Sequence, residues 1–232
     1  MDECRTGNLS SNHPTIQPSH PGERPSSRRA VIEAAAAAAG MCLFALFVHS
    51  QVLLAALGFA ATAAAVARCA WTEDAPSAVF GLRLRSRRAT ILTALGVPIG
   101  LALGVIYRDQ YGLPLFPAAL TGFVVPAVLI GGTEELLYRG YVQGRVRRLG
   151  VVGAVAFAAA GHTAYKTLLF ALPPEPMAVT FWVVALVTFL GGVGFGVLRE
   201  LSGGVYAPLL AHACFDIIVY GDKAHAPWWV WS

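Results

Sequence analysis

An all-helical, polytopic transmembrane bundle of about seven spans is predicted by three observations. Of 232 residues, 56% are hydrophobic and 13% charged, roughly half the charged share of an average soluble domain, and mean hydropathy is +0.60. Apolar stretches close to the roughly 20 residues that cross a bilayer recur along the chain. Gly and Ala, small residues that let membrane helices approach closely, are spread through those stretches. A soluble globular fold is not expected.

Residues 1–29 are rich in Pro, Ser, His and Arg and lack the apolar core of a secretory signal. They read as a disordered cytoplasmic tail, because such a composition buries too little apolar surface to offset the entropy of ordering. Val31 to Val48 and Val52 to Ala67, parted by His49, Ser50 and Gln51, make a transmembrane hairpin over residues 30–67. Residues 68–89 form a basic cytoplasmic loop. It holds Glu73, Asp74 and Pro76 and ends in Arg83, Arg85, Arg87 and Arg88, which suits a surface facing anionic lipid. Further apolar stretches cover Thr90 to Tyr107, Phe116 to Gly132, Val151 to Tyr165, Met177 to Leu198 and Val205 to Tyr220. In residues 221–232, Trp228, Trp229 and Trp231 read as an interfacial belt.

Charge then orients the spans. If the tail starts inside, 14 of the 17 Lys and Arg fall on that side, and only Arg108, Lys166 and Lys223 fall on the other. The positive-inside rule makes the N-terminus cytoplasmic and the C-terminus external, in a multi-pass protein of the cell membrane. The net charge of +4 does not point to nucleic acid, since the arginines lie between apolar segments rather than on one face with stacking aromatics. Cys4, Cys42, Cys69 and Cys214 fall singly, without CxxC spacing, and read as unpaired.

Ionisable groups at membrane depth cost about 2.5 to 3.5 kcal/mol or more, so each needs a partner or a purpose. Glu33 and His49 sit at the ends of the first span and reach interfacial water. Glu134, Glu135, Arg139, His162, His212 and Asp216 remain. Glu135 and Arg139 share a helical face at i, i+4 and pair. Glu134, about 100° round the helix, is left without an obvious cation, as a general base would be. His212 and Asp216 also stand at i, i+4 and converge on one small volume. A structural role is open for each: charge pair, interhelical hydrogen bond, or a single polar contact in a close-packed helix. Their joint occurrence on neighbouring segments favours a site.

At these residues the chain resembles the CAAX prenyl-protease and bacteriocin-processing (CPBP, or Abi) family of intramembrane endopeptidases, over about residues 90–220. The family's EExxxR motif is present as Glu134-Glu135-Leu-Leu-Tyr-Arg139, followed by Gly140 and Tyr141. Its aromatic four residues before a histidine is half met: His162 is there, but Ala158 holds the aromatic position and Phe157 is one residue early. Its HxxxN or HxxxD motif is His212-Ala-Cys-Phe-Asp216.

The resemblance implies an intramembrane endopeptidase acting on a membrane-associated protein or peptide, with membrane lipid as the other partner. Glu134 would be the base that activates water, His162 would help to orient that water, and His212 with Asp216 would face the oxyanion. Glu135 and Arg139 would support the helix geometry. Where the family often has Asn, ionised Asp216 only accepts hydrogen bonds. Either it is protonated, or it takes a proton from His212 and fixes that tautomer; the second is preferred. No cofactor is expected. The competing reading is a zinc metalloprotease that binds the ion through Glu134, His162 and His212. A non-enzymatic scaffold, immunity factor or transporter is the wider alternative.

The charge asymmetry sets a test of topology. An alkaline phosphatase fused after Leu149 should be inactive and one after Ser232 active; the reverse pattern would invert the map.

Overall fold

The computed structural model describes residues 27–73, 75–82, 86–171 and 181–222. The expected tail up to residue 26, Cys4, Asp74, Arg83, Arg85, Lys223 and the Trp228–Trp231 belt lie outside the described residues. Those described fold as helices: α1 Ser27–Phe47, α2 Val52–Thr72, α3 Pro76–Phe80, α4 Arg87–Ala94, α5 Gly96–Gln110 and α6 Val124–Glu135, then α7 Gln143–Val146, α8 Val151–Ala171, α9 Phe181–Ser202 and α10 Tyr206–Tyr220. A π-helical stretch, Leu136–Val142, joins α6 to α7, so that residues 124–146 form one helical run. No strand occurs among the described residues.

Apart from the short α3, these described elements make seven helical runs that correspond to the seven apolar stretches. Four are long and apolar enough to cross a membrane by length and composition: Arg28–Phe47, Val52–Thr72, Arg87–Gln110 and Phe181–Ser202. Large side chains such as Trp182, Leu186, Leu190 and Ile106 stand exposed on these helices, as they would toward hydrocarbon. This is a membrane protein.

Several boundaries differ from the sequence reading, for local reasons. The helix expected from Phe116 begins only at Val124. Pro117 disfavours helical backbone at the residue before it, and Thr121 instead donates its N–H to the Gly221 carbonyl at 2.8 Å. The helix of the second stretch runs on to Thr72, and α8 runs on to Ala171 instead of stopping at Tyr165. The third run is broken at Leu95 because Pro98 lacks the N–H that would bond the carbonyl of Ala94. Ser86 caps α4, its hydroxyl accepting from the Ala89 N–H at 3.1 Å.

Small residues set the helix spacing. The α1–α2 hairpin closes where Gly40 faces Gly58, and a Cβ on Gly40 would lie 2.7 Å from the Gly58 carbonyl oxygen. There Thr62 donates across to the Ala37 carbonyl at 2.9 Å. The hairpin is not a separate unit: Ala34, Ala37, Met41 and Ala45 share one core with Tyr138, Tyr141, Ala154 and Tyr165. On the far side Gly96, Gly100 and Gly104, four residues apart, bring α5 against α10. A Cβ at any of the three would collide with Ala207, Ala211 or Ile218. The same two helices are clamped at one end by Arg108, whose fork meets both carboxylate oxygens of Asp222 at 2.7 and 3.1 Å. Arg108 also donates to the carbonyls of Ile218 and Pro114. This bidentate pairing holds the Asp222 carboxyl below its ordinary range.

At the other end of the bundle Arg145 pairs with Glu33 and Glu73, and Glu33 also takes Arg68 at 2.8 Å. Glu33 therefore has a structural use, tying the hairpin to the end of α7. Cys42, Cys69 and Cys214 are free.

The α5–α10 seam gives a stability test. Gly100→Leu should cost more than about 3 kcal/mol, since overpacking here meets backbone rather than a yielding side chain. Ala102→Leu, on the exposed side of the same helix, should leave the melting temperature in detergent unchanged. Equal melting temperatures for the two would show that the seam does not hold the bundle.

Candidate active site

Three helical runs build a buried polar cluster. Glu134 and Glu135 end α6, and Arg139 follows within the π-helical stretch. His162 comes from the middle of α8, and His212 and Asp216 come from α10. Each is at most 8% exposed, and Glu135 and Arg139 are fully enclosed. The π-helix begins one residue after the second glutamate, and such local widening of a helix recurs at functional sites.

Hydrogen bonds fix the orientation of both imidazoles. Arg139 Nη1 donates to Glu135 Oε1 at 2.9 Å, the i, i+4 pair expected from spacing. The same Nη1 lies 3.2 Å from His162 Nδ1. A guanidinium only donates, so Nδ1 is an acceptor and the proton of a neutral His162 sits on Nε2. That Nε2 faces Glu134 Oε2 at 3.3 Å. His212 is set the opposite way: its Nδ1–H donates to Glu135 Oε1 at 2.8 Å. Its Nε2 then points to the same Glu134 Oε2, 4.0 Å away.

Asp216 does not fix the His212 tautomer, as the preferred sequence reading had it. Its Oδ1 is 3.8 Å from His212 Nε2, beyond hydrogen-bond reach, and Glu135 performs the fixing at the other ring nitrogen. Asp216 therefore faces the working nitrogen of His212 as a neighbouring carboxylate.

The expectation that Glu134 lacks a cation is also corrected. Lys166 Nζ lies 2.6 Å from Glu134 Oε1. Lys166 seemed to lie past the end of its span, but α8 continues through it, and four residues after His162 it shares that histidine's face. The i, i+4 spacing of His162 and Lys166 was the signal that could have found it.

Other members had weaker signals. The aromatic support missing at Ala158 comes instead from Tyr138, inside the EExxxR motif, whose ring centroid is 4.7 Å from that of His162. Tyr165 stacks on both. Phe195 of α9 packs under His212 at 5.6 Å between centroids and under the Arg139 guanidinium at 5.6 Å. Gly131, one turn before Glu134, admits α10 to the cluster, for a Cβ there would strike Asp216 and come within 3.0 Å of His212.

Among the described residues no group of three His, Cys, Asp or Glu is arranged to hold a metal. Lys166 Nζ, 2.6 Å from Glu134 Oε1, already places one cation beside that carboxylate.

The fold and this cluster define a class, a helical membrane protein with carboxylates and imidazoles joined inside the bundle. More narrowly, residues 114–218 match the family described as type II CAAX prenyl endopeptidase Rce1-like, and that stretch contains all three motifs. The match agrees with the resemblance read from the motifs. No curated protein and no solved structure matches the chain.

The enclosed Glu135 makes a test. Glu135→Gln leaves Arg139 without an anion at a fully buried position, which should cost about 3 to 5 kcal/mol. Yield and melting temperature in detergent should fall together. A variant as stable as the parent would deny the pair its supporting role.

Proposed function

We propose that this protein is an intramembrane endopeptidase that cleaves a membrane-associated protein or peptide with water activated by Glu134, without a metal. One observation carries the reading: a single oxygen, Glu134 Oε2, is approached by the Nε2 atoms of two imidazoles from two other helices, at 3.3 and 4.0 Å. The match of residues 114–218 to a family of CAAX prenyl endopeptidases supports the same class of reaction.

Hydrolysis of an amide needs a water deprotonated as it attacks and a counter-charge for the oxyanion that forms. Water beside Glu134 Oε2 attacks the carbonyl carbon as its proton passes to that oxygen, and His162 Nε2–H orients the carboxylate and the water. The new C–O bond puts negative charge on the carbonyl oxygen. In its imidazolium form His212 donates to that oxygen from Nε2, balanced by Glu135 at Nδ1 and by Asp216 at 3.8 Å. Collapse of the intermediate breaks the C–N bond, and the proton on Glu134 passes to the leaving nitrogen. The products are a carboxylate and an amine. The cluster is buried among apolar helices, so the substrate would reach it from the membrane.

Glu134→Gln tests the assignment, because it keeps size and polarity but removes the base. In proteoliposomes with a farnesylated CAAX peptide reporter, it should lower kcat about 10²-fold or more while the protein folds normally. The parent should cleave at full rate in a strong chelator. If Glu134→Gln cleaves as fast as the parent, Glu134 is not the base; if the variant keeps full biological activity without cleavage, a binding role replaces the enzyme.

A further inference from the structure

We propose that Lys166 is a positioning residue for the base: it holds one oxygen of Glu134 so that only the other is presented to water. The inference rests on the reading of Glu134 as the base and extends it to a residue outside the three motifs.

The two oxygens of Glu134 have different surroundings. Oε1 lies 2.6 Å from the Lys166 ammonium, and Oε2 lies 3.3 Å from His162 Nε2 and 4.0 Å from His212 Nε2. A carboxylate turns about its last bond through a broad two-fold well, so without a strong partner on one side its oxygens would exchange. An ion pair at Oε1 breaks that symmetry. The attraction of opposite charges at this distance favours one orientation of the carboxylate and directs the opposite oxygen to the imidazoles.

Lys166 is itself held in place. Its Nζ stands 5.7 Å from the centroid of Tyr165 and 5.2 Å from that of Phe170, so the ammonium is flanked by aromatic faces on its own helix. Its side chain is 16% exposed, more than those of Glu134, His162, His212 or Asp216, which places it at the open side of the cluster.

Charge balance gives the same answer independently. The cluster contains three carboxylates, Glu134, Glu135 and Asp216. Of the described Lys and Arg, Arg139 meets Glu135 and Lys166 meets Glu134. With His212 as imidazolium, Arg139 and His212 balance two of the three carboxylates, and Lys166 supplies the cation for the third. Because it is bound to the base, it acts through Glu134 and is not required to touch the substrate.

The test has two arms, both on the full chain. In the first, melting temperatures in detergent are compared for Lys166→Met in the parent and in the Glu134→Gln background. Lys166→Met should lower the melting temperature of the parent, where it strands a buried carboxylate, and change it little where residue 134 is already neutral. Equal losses in both would mean that Lys166 does not engage Glu134, and would overturn the proposal. In the second arm, the farnesylated CAAX peptide reporter is cleaved in proteoliposomes. Lys166→Met should lower kcat about tenfold or more with KM within about twofold, and Lys166→Arg should recover most of the loss. A residue that only stabilised the fold would leave kcat per folded molecule unchanged. If the parent cleaves, Glu134→Gln does not and Lys166→Met does at full rate, the Lys166 inference alone falls. If Glu134→Gln also cleaves at full rate, the reading of the base falls and takes this role with it.

Discussion

A carboxylate sealed inside a membrane protein is tolerated only with partners, and Glu135 has two on one oxygen. Its Oε1 receives Arg139 Nη1 and His212 Nδ1, and Arg139 passes on to His162 Nδ1. A short chain of hydrogen bonds thus joins the run through α6 to α8 and to α10. Each imidazole is held by one nitrogen and presents the other to Glu134. Without Glu135 the guanidinium would be a buried charge with no counter-ion, a situation far more costly than leaving out the pair altogether. The second glutamate of the motif is therefore the member on which the geometry of the first depends.

Close helix contacts make that wiring possible. In a bilayer no water is available to drive helices together, and association rests on packing and hydrogen bonds between small-residue faces. Gly131 admits Asp216 and His212 beside α6, while Gly192 brings α9 onto Ala159, where an added Cβ would lie 3.3 Å from the Arg139 guanidinium. These glycines do not carry chemistry. They set the distance between backbones at which side chains as short as Asp and His can meet.

Fold class and the members of the buried polar cluster were legible in the sequence because both follow from strong physical costs. Apolar length fixed the number of helical runs, and the few ionisable groups in those runs marked Glu134, Glu135, Arg139, His162, His212 and Asp216. Spacing alone paired Glu135 with Arg139, since that contact lies within one helix. It could not assign the partner of His212, which lies on another run: Asp216 was nearer in sequence, but Glu135 is nearer in space. Lys166 was missed because charge was used to end a span that in fact continues to Ala171. Tyr138 was missed for a related reason, since aromatic support for His162 was sought before it on its own helix, and comes from Tyr138 of the neighbouring run and from Tyr165 after it. The π-helical stretch has no signal in composition or period, because it adds a hydrogen-bond pattern and not a residue type.

The glycine seam between α5 and α10 has a mechanical consequence. Where backbone rests on backbone there is no side chain whose rotamer can yield, so the two helices move as one stiff plank, pinned at its end by Arg108 and Asp222. His212 rides on that plank at a fixed depth. His162 stands on α8 against the rings of Tyr138 and Tyr165, so the two imidazoles that meet at Glu134 are mounted differently, one on a backbone-to-backbone contact and the other on packed side chains.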